Sequence, residues 1–383
     1  MRRNILWFLL AFLGIGLFMS FQNCSSGFRA KMLAPVNAVQ ATTNNPPGGG
    51  SGVLDLAHWH GVNVDTDISD QDLDRIRRLG FNLIRLNMNK QPLMHKQAPY
   101  DFDEVAMARM KAIIDSCRLR GISVVMDPHT TPGTEKTTTT LNKDKLWREP
   151  FFQNLLIKLW DRLSSEYANE PTVIAYDLLN EPSTPEQAVG GPPILSWNDL
   201  AAKLVRHVRV NDPKKIIIVE SSAVHIDGVQ LDRIDSVPYL KIPKDDNLLL
   251  SVHMYAPHQF TNQGLRDFPT GIKYPGLIGG QPWDRSALRE KLNTVKSFAD
   301  QNHLGVFIGE FSVSRCSDPV SADQYLTDLL DIFSGNEWAW AYLSYSSKNV
   351  WWSLEEPVSE PCGMSDAGAP SREEILSKFL EKQ

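Results

Sequence analysis

The chain of 383 residues contains only four cysteines, at positions 24, 117, 316 and 362. That is too few for a small disulfide scaffold, so a hydrophobic core must hold the fold together. Charge of either sign is not in strong excess: 39 basic and 45 acidic side chains leave a formal net charge of −6. A mildly acidic surface argues against nucleic acid or an anionic membrane as the main partner. No glycine-rich loop follows an early strand pattern, which removes the usual nucleotide cradle. No internal repeat or second domain is visible, and the low-complexity patch "TTTT" at 137–140 is short. The long apolar run "ILWFLLAFLGIGLF" falls short of a comfortable bilayer span. What remains is ordinary globular composition, 42% hydrophobic and 22% charged. Ten tryptophans are a generous count; most tryptophan is core, and the exposed remainder stacks on flat ligands.

That apolar run follows Arg2 and Arg3 and precedes a polar stretch with Cys24. A positive region, an apolar region and a cysteine read as an export signal over residues 1–23, with Cys24 as the new N-terminus. "FQNC" stands where bacterial lipoproteins are cleaved and acylated, and small cleavage-site residues are otherwise missing. Acylation of Cys24 is therefore expected, with plain cleavage the alternative. Residues 24–52, ending in "ATTNNPPGGGSG", read as a flexible tether. The expectation is an exported protein, lipid-anchored to a cell envelope, with a monomeric soluble body over 53–383. Cys117 lies in a helical pattern and is expected as a buried thiol. Cys316 and Cys362 both follow late strands, so either a disulfide or two free thiols fits.

From about residue 56 two periods alternate. Short β-branched runs occur at "GVNV", "FNLIRLN", "ISVVMD", "VIAYDLL", "KIIIVE", "NLLLSVHMY", "GVFIGEF" and "WAWAYLSY". Amphipathic helical stretches separate most of them; Ser69 and Ser321 look like N-caps, and Gly80 and Gly121 like C-caps. Strands apolar on both faces, alternating with helices, imply a parallel sheet. Eight of them over about 325 residues fit a (β/α)8 TIM barrel with enlarged βα loops. A doubly wound open sheet is the alternative. The weak point is the connection after the fifth strand, "SSAVHIDGVQLDRIDSVPYLKIPKDD", whose helical pattern is short and irregular.

In such barrels chemistry stands at the carboxyl ends of the strands. The fourth strand delivers Asn180 and Glu181, and Pro182 is expected to stop it there. The seventh ends on Glu310, the fifth on Glu220, the third on Asp127 with His129 beyond; the sixth brings His253 and Tyr255, and the second Arg85. Strands four and seven face each other across a barrel, so Glu181 and Glu310 can meet over a bound sugar. Glycoside cleavage needs two carboxyl groups in opposed states, one protonated and one ionised. A lone strand-end glutamate is as often a rim ion-pair partner; two with this supporting set are not. Asp177 reads as a structural carboxylate in the barrel wall and Glu220 as a hydrogen-bond acceptor behind the catalysts. His258 and Gln259 either touch substrate or cap a turn.

The segments "LGFNLIRL", "ISVVMDPH", "VIAYDLLNEP", "SVHMYAPHQFTNQG" and "VFIGEFS" occur in one order from about Trp59 to Glu355. In that order the chain resembles glycoside hydrolase family 5, the retaining cellulases and mannanases of the large (β/α)8 clan. The resemblance implies that Glu181 is the general acid/base and Glu310 the nucleophile. It implies that Asn180 binds the sugar 2-hydroxyl, that Arg85 and Tyr255 brace Glu310, and that His129 and His253 line the subsite. The family usually carries a stacking tryptophan at the end of the eighth strand, where this chain has Leu343 and Ser344. Trp352 is the substitute expected for that platform, then Trp351; both could equally be packing residues. The implied activity is a retaining endo-β-glycanase on β-1,4-linked glucan or a related polysaccharide, with no metal and no organic cofactor.

Two rival readings remain. "HWH", His58 to His60, resembles the paired histidines of metal-dependent amidohydrolase barrels, yet it precedes the first strand and lacks partner ligands later. A non-catalytic lipoprotein that captures polysaccharide is the other, although such barrels usually lose a carboxylate and this one keeps both.

Overall fold

The computed structural model describes residues 55–134, 145–183, 195–226, 229–265, 267–345, 351–354, 362 and 371–382. Cys24, the export segment and the tether lie outside the described residues. Eight strands, β1 (His60–Asp65), β2 (Leu83–Asn87), β3 (Ser123–Asp127), β4 (Val173–Asp177), β5 (Ile216–Glu220), β6 (Leu248–Met254), β7 (Gly305–Phe311) and β8 (Ala339–Tyr342), form a closed barrel. Every neighbouring pair is parallel, and β1 pairs with both β2 and β8. That closure excludes the open doubly wound sheet. The fold is a (β/α)8 TIM barrel.

Helices α1 (Asp70–Arg78), α2 (Glu104–Arg120), α3 (Pro150–Tyr167), α4 (Trp197–Asn211), α5 (His258–Thr261), α6 (Arg285–Asn302), α7 (Pro319–Gly335) and α8 (Arg372–Leu380) complete it. Ser69 caps α1 through a reciprocal capping box with Asp72. Gly121 closes α2 in a left-handed conformation, and Gly80, just past the last residues of α1, also has positive φ. Ser321 is not an N-cap. Pro319 starts α7, and the Asp318 carboxylate accepts the Ser321 N–H, so the cap sits three residues earlier. The irregular connection after β5 contains no α-helix among the described residues. A hairpin (Val224–Ile226 with Val229–Leu231) and a 3-10 turn, Val237–Tyr239, take its place.

Two apolar cores account for the chain's composition. The larger fills the space between helices and barrel, with Trp160, Trp340, Phe311 and Leu204 among its buried members. The smaller plugs the barrel itself through Trp59, Leu83, Val125, Ala175, Ile218, Leu249, Phe307 and Ala341. Side chains alternate faces along a strand, so two residues beyond an inward apolar residue the next inward residue follows. Leu83 is followed by Arg85, Val125 by Asp127, Ala175 by Asp177, Ile218 by Glu220. The barrel is thus apolar below and charged at its mouth. On β7 the rhythm breaks: register shifts between Ile308 and Glu310. A Cβ on Gly309 would stand 3.0 Å from His253 Nε2 and 2.8 Å from Ser251 Oγ. Only glycine fits that layer, and the irregularity brings Glu310 into the mouth instead.

Candidate active site

Arg85 organises the mouth. It is wholly buried, and its Nε donates to Asp177 Oδ2 at 2.8 Å. Nη1 donates to Glu310 Oε1 at 3.1 Å and to Asn63 Oδ1 at 3.1 Å. Nη2 donates to Glu220 Oε1 at 2.8 Å and to Asn180 Oδ1 at 3.0 Å. Asp127 Oδ2 lies 3.1 Å from Nη1. Burial alone would lower the guanidinium pKa, but Asp127, Asp177, Glu220 and Glu310 outweigh it and raise it well above its ordinary value. Asp177 moves the other way from most ion-pair carboxylates. Burial and the nearby Glu220 charge raise it well above the usual carboxylate range, against the pull of Arg85.

Glu310 is buried and both of its oxygens are held: Oε1 by Arg85, Oε2 by the Tyr255 hydroxyl at 2.9 Å. Burial raises the Tyr255 pKa, and the Glu310 and Glu181 charges raise it further, so the phenol stays a donor. His253, one residue before the end of β6, places Nδ1 3.1 Å from Glu181 Oε1 and 3.6 Å from Glu310 Oε2. Its Nε2 lies 3.2 Å from Glu220 Oε1. Burial would lower this imidazole, but Glu220, Glu310 and Glu181 raise it well above the ordinary histidine value. In Glu220 burial is outweighed in turn by His253, Arg85 and the Glu181 N–H, which hold its carboxyl well below the usual range. His129, after β3, is tied to Asp127 through its main-chain N–H at 2.9 Å and through Nδ1 at 2.8 Å. Asp127 thereby overcomes burial and raises its pKa.

Glu181 stands four residues beyond the end of β4 rather than at it. Regular pairing stops before Pro182 is reached, which corrects the expectation that proline ends the strand. The Leu178 N–H makes one more bond, to Ile218 O at 3.2 Å, and the Leu178 carbonyl is then taken by Trp160 Nε1 at 2.9 Å. The chain turns there, and Glu181 adopts φ 46°. A left-handed non-glycine residue costs about 1–2 kcal/mol, so neighbours must hold it. Glu220 Oε2 accepts the Glu181 N–H at 2.8 Å, and Arg233 Nη2 donates to the Glu181 carbonyl at 3.2 Å. Oxygens of Glu181 and Glu310, with a His253 nitrogen, lie within 4.8 Å of one another. A cleft of about 500 Å3 opens on this turn, lined by Lys96, His129, Trp147, Asn180, Glu181 and Arg233 among others. A groove of about 560 Å3 at α7 and α8, lined by Leu330, Ile375 and Phe379, contains none of these residues.

Glu181, His253 and Glu310 have the spacing of a cation site. Their atoms already face one another and other side chains: Arg85 and Tyr255 donate to the two Glu310 oxygens, and His253 Nδ1 lies 3.1 Å from Glu181 Oε1. The His58–His60 pair is at the opposite end. His60 opens β1 and stacks on Trp340 at 4.8 Å between centroids, while His58 bonds Asp55.

Trp352 is half-buried, with its ring centroid 6.2 Å from that of Tyr255 at 49°. Tyr255 is the residue whose hydroxyl holds Glu310 Oε2. Cys316 and Cys362 are joined in a disulfide, and Cys117 is a buried free thiol pushed up to about 12 by burial. Gln259 packs against the turn at Gly279. Two site residues escaped the reading of the sequence. Asn63 interrupts an apolar strand, and its amide bridges Arg85 to the Gly309 and Ala341 carbonyls at 2.9 and 3.2 Å. A polar residue with apolar neighbours in "GVNVD" was the available signal. Arg233 lies in the irregular connection after β5, where no periodicity pointed to it.

A closed parallel barrel with two glutamates facing at its mouth, braced by arginine, tyrosine and histidine, defines a glycoside hydrolase. The cellulase family, glycosyl hydrolase family 5, matches residues 43–349. The chain belongs to that family, and it is an O-glycosyl hydrolase. Among its relatives, Endoglucanase C of Acetivibrio thermocellus is 22% identical over 327 residues, covering 77% of this chain and 90% of its own. Cellodextrinase A of Ruminococcus flavefaciens is 25% identical over 270 residues, covering 69% and 73%. The solved structure of Thermotoga maritima Cel5A with cellobiose superposes with a TM-score of 0.64 at 22% identity, over 85% of this chain and 97% of that one.

Proposed function

We propose that the chain is a retaining endo-β-glycanase acting on β-1,4-linked glucan or a related β-linked polysaccharide, with Glu181 as acid/base and Glu310 as nucleophile. The observation that carries this reading is the approach of Glu181 and Glu310 oxygens to within 4.8 Å. Retaining enzymes hold their carboxyl groups about 5–5.5 Å apart, whereas inverting ones leave about 6.5–9.5 Å for a water. The names of the relatives, an endoglucanase and a cellodextrinase, favour a glucan.

In the first half-reaction Glu310 attacks the anomeric carbon as the bond to the leaving sugar oxygen breaks, and Glu181 gives its proton to that oxygen. In the second, water attacks the anomeric carbon, the bond to Glu310 breaks, and Glu181 takes the proton of the water. Arg85 and Tyr255 keep Glu310 aimed, since each donates to one oxygen. Arg85 also fixes the Asn180 amide: its oxygen accepts from Nη2, which leaves the NH2 group to donate to the sugar 2-hydroxyl. His129 lines the sugar subsite, and Trp352 offers it a face.

Glu181→Gln and Glu310→Gln are each expected to cut turnover of barley β-glucan or carboxymethylcellulose at least about 10³-fold while unfolding as the parent does. NMR of the first-formed product should show the β-anomer. An initial α-anomer, or near-parental activity in either variant, overturns the assignment; binding of cello-oligosaccharides without turnover by the parent would instead support capture. A chelator should leave the rate unchanged. From its N-terminal sequence we further propose that the protein is exported and anchored through Cys24. Labelled palmitate should enter the parent and not Cys24→Ala, and absence of label from the parent would refute the anchor.

A further inference from the structure

We infer that Arg233 is a positioning residue for Glu181, holding its backbone and setting the pH at which it can act as an acid; this rests on the acid/base role proposed above. A single nitrogen carries both contacts. Arg233 Nη2 donates to the Glu181 carbonyl at 3.2 Å and lies 3.4 Å from Glu181 Oε2. One guanidinium thus grips a residue whose backbone is left-handed and whose carboxyl must move protons.

The position of Arg233 is itself built. Asp232 Oδ1 accepts the N–H groups of Ile234 and Asp235 at 2.9 and 2.8 Å, closing a turn around Arg233. Lys291, from α6, bonds Asp232 at 2.8 Å and Asp235 at 2.6 Å. Burial would raise the Asp232 carboxyl, but the Asp235 N–H and Lys291 outweigh it and hold it ionised. The turn that presents Arg233 is therefore fastened to a helix of the barrel wall. The ion pair is partly exposed, so its worth lies in geometry and charge at the site more than in stability.

The charge has opposite consequences in the two half-reactions. A cation beside Glu181 disfavours the protonated form, which the first half-reaction needs, and favours the ionised form, which the second needs. Other groups face the same carboxyl: His253 at 3.1 Å and Glu310 within 4.8 Å, with Tyr255 and His258 near enough to feel its charge, while Glu220 holds the N–H. Among these, Arg233 comes from the connection after β5 rather than from a barrel strand end. Its removal changes the charge on Glu181 without touching the Glu310 braces.

The test compares the parent with Arg233→Met and Arg233→Lys on an aryl β-cellobioside and on a cello-oligosaccharide. In Arg233→Met the alkaline limb of kcat/KM for the cello-oligosaccharide should shift upward by about one pH unit. The same variant should hydrolyse the covalent intermediate at least about tenfold more slowly, seen as a pre-steady-state burst with an activated leaving group. Arg233→Lys should restore both towards the parent. An unshifted limb, or equal losses with both substrates and no rescue by lysine, overturns the role of Arg233 while leaving the glycosidase reading intact. A parent that turns over neither substrate overturns both.

Discussion

Arg85 shows what a single residue decides here. It is buried without exposure among Asp127, Asp177, Glu220 and Glu310. A buried cation is unfavourable alone, and so is each buried carboxylate; together they satisfy one another. The sequence places an arginine in the middle of "NLIRLN", where a strand would otherwise be apolar throughout. Replacing it by methionine keeps the volume and strands its partners. Arg85→Met should lose about 3–5 kcal/mol of stability at pH 7, because uncompensated charges stay inside. The deficit should shrink as the pH falls and the stranded carboxyls take up protons. Urea unfolding at pH 7 and pH 5 measures both. A deficit independent of pH would mean that packing, not charge, is what Arg85 supplies.

At the scale of elements, the strand ends were legible and the loops were not. Short β-branched runs between helical stretches located all eight strands, and inward alternation in the fold carries Arg85, Asp127, Glu220 and His253 to one mouth. Contacts set by long connections were invisible: Arg233 sits in an irregular loop, and the irregularity that admits Glu310 depends on a close approach at Gly309. The cysteine pairing was left open because a sequence separation of 46 says nothing of distance; in the fold the two Cα atoms stand 5.4 Å apart. The loops after β7 and β8 are joined by more than that bond. Arg315 N donates to Trp351 O at 2.8 Å, and its guanidinium donates to Ser353 O and Leu354 O at 3.1 and 3.3 Å. Ser344 N in turn donates to Trp352 O at 3.1 Å. This strap positions Trp352 beside Tyr255. Cys316→Ser with Cys362→Ser should lower stability by about 4 kcal/mol through the entropy of the opened loop. KM for cello-oligosaccharides should rise as Trp352 loosens, with kcat less affected. Thermal unfolding and steady-state kinetics give the answer, and an unchanged KM would separate the disulfide from the platform.

Across the whole molecule, the two ends of the barrel respond to acid in opposite senses. At the mouth, burial and Glu220 raise Asp177, so its folded form keeps a proton that the unfolded chain releases above about pH 4. Acidification towards that value therefore returns stability at this end. His253, raised by its carboxylates, contributes stability that is complete below pH 6.5 and is lost as the pH rises through its folded value. At the base, burial and then the neighbouring His58 lower His60 to about 4. Its ring is buried, packed on Trp340 and edge-on to Phe379. The unfolded chain protonates this histidine below about pH 6.5 and the folded one does not, so stability falls between pH 6.5 and 4 and is level below. A shift of that size corresponds to about 3 kcal/mol. Groups at both ends titrate as the pH falls, so only a difference isolates the base. His60→Gln should be less stable than the parent at pH 7 through lost stacking, and should close that gap by about 3 kcal/mol as the pH falls to 4. Urea unfolding of both proteins at half-unit intervals measures the gap. A gap of constant width across the window would show that His60 titrates no differently in the folded barrel than outside it.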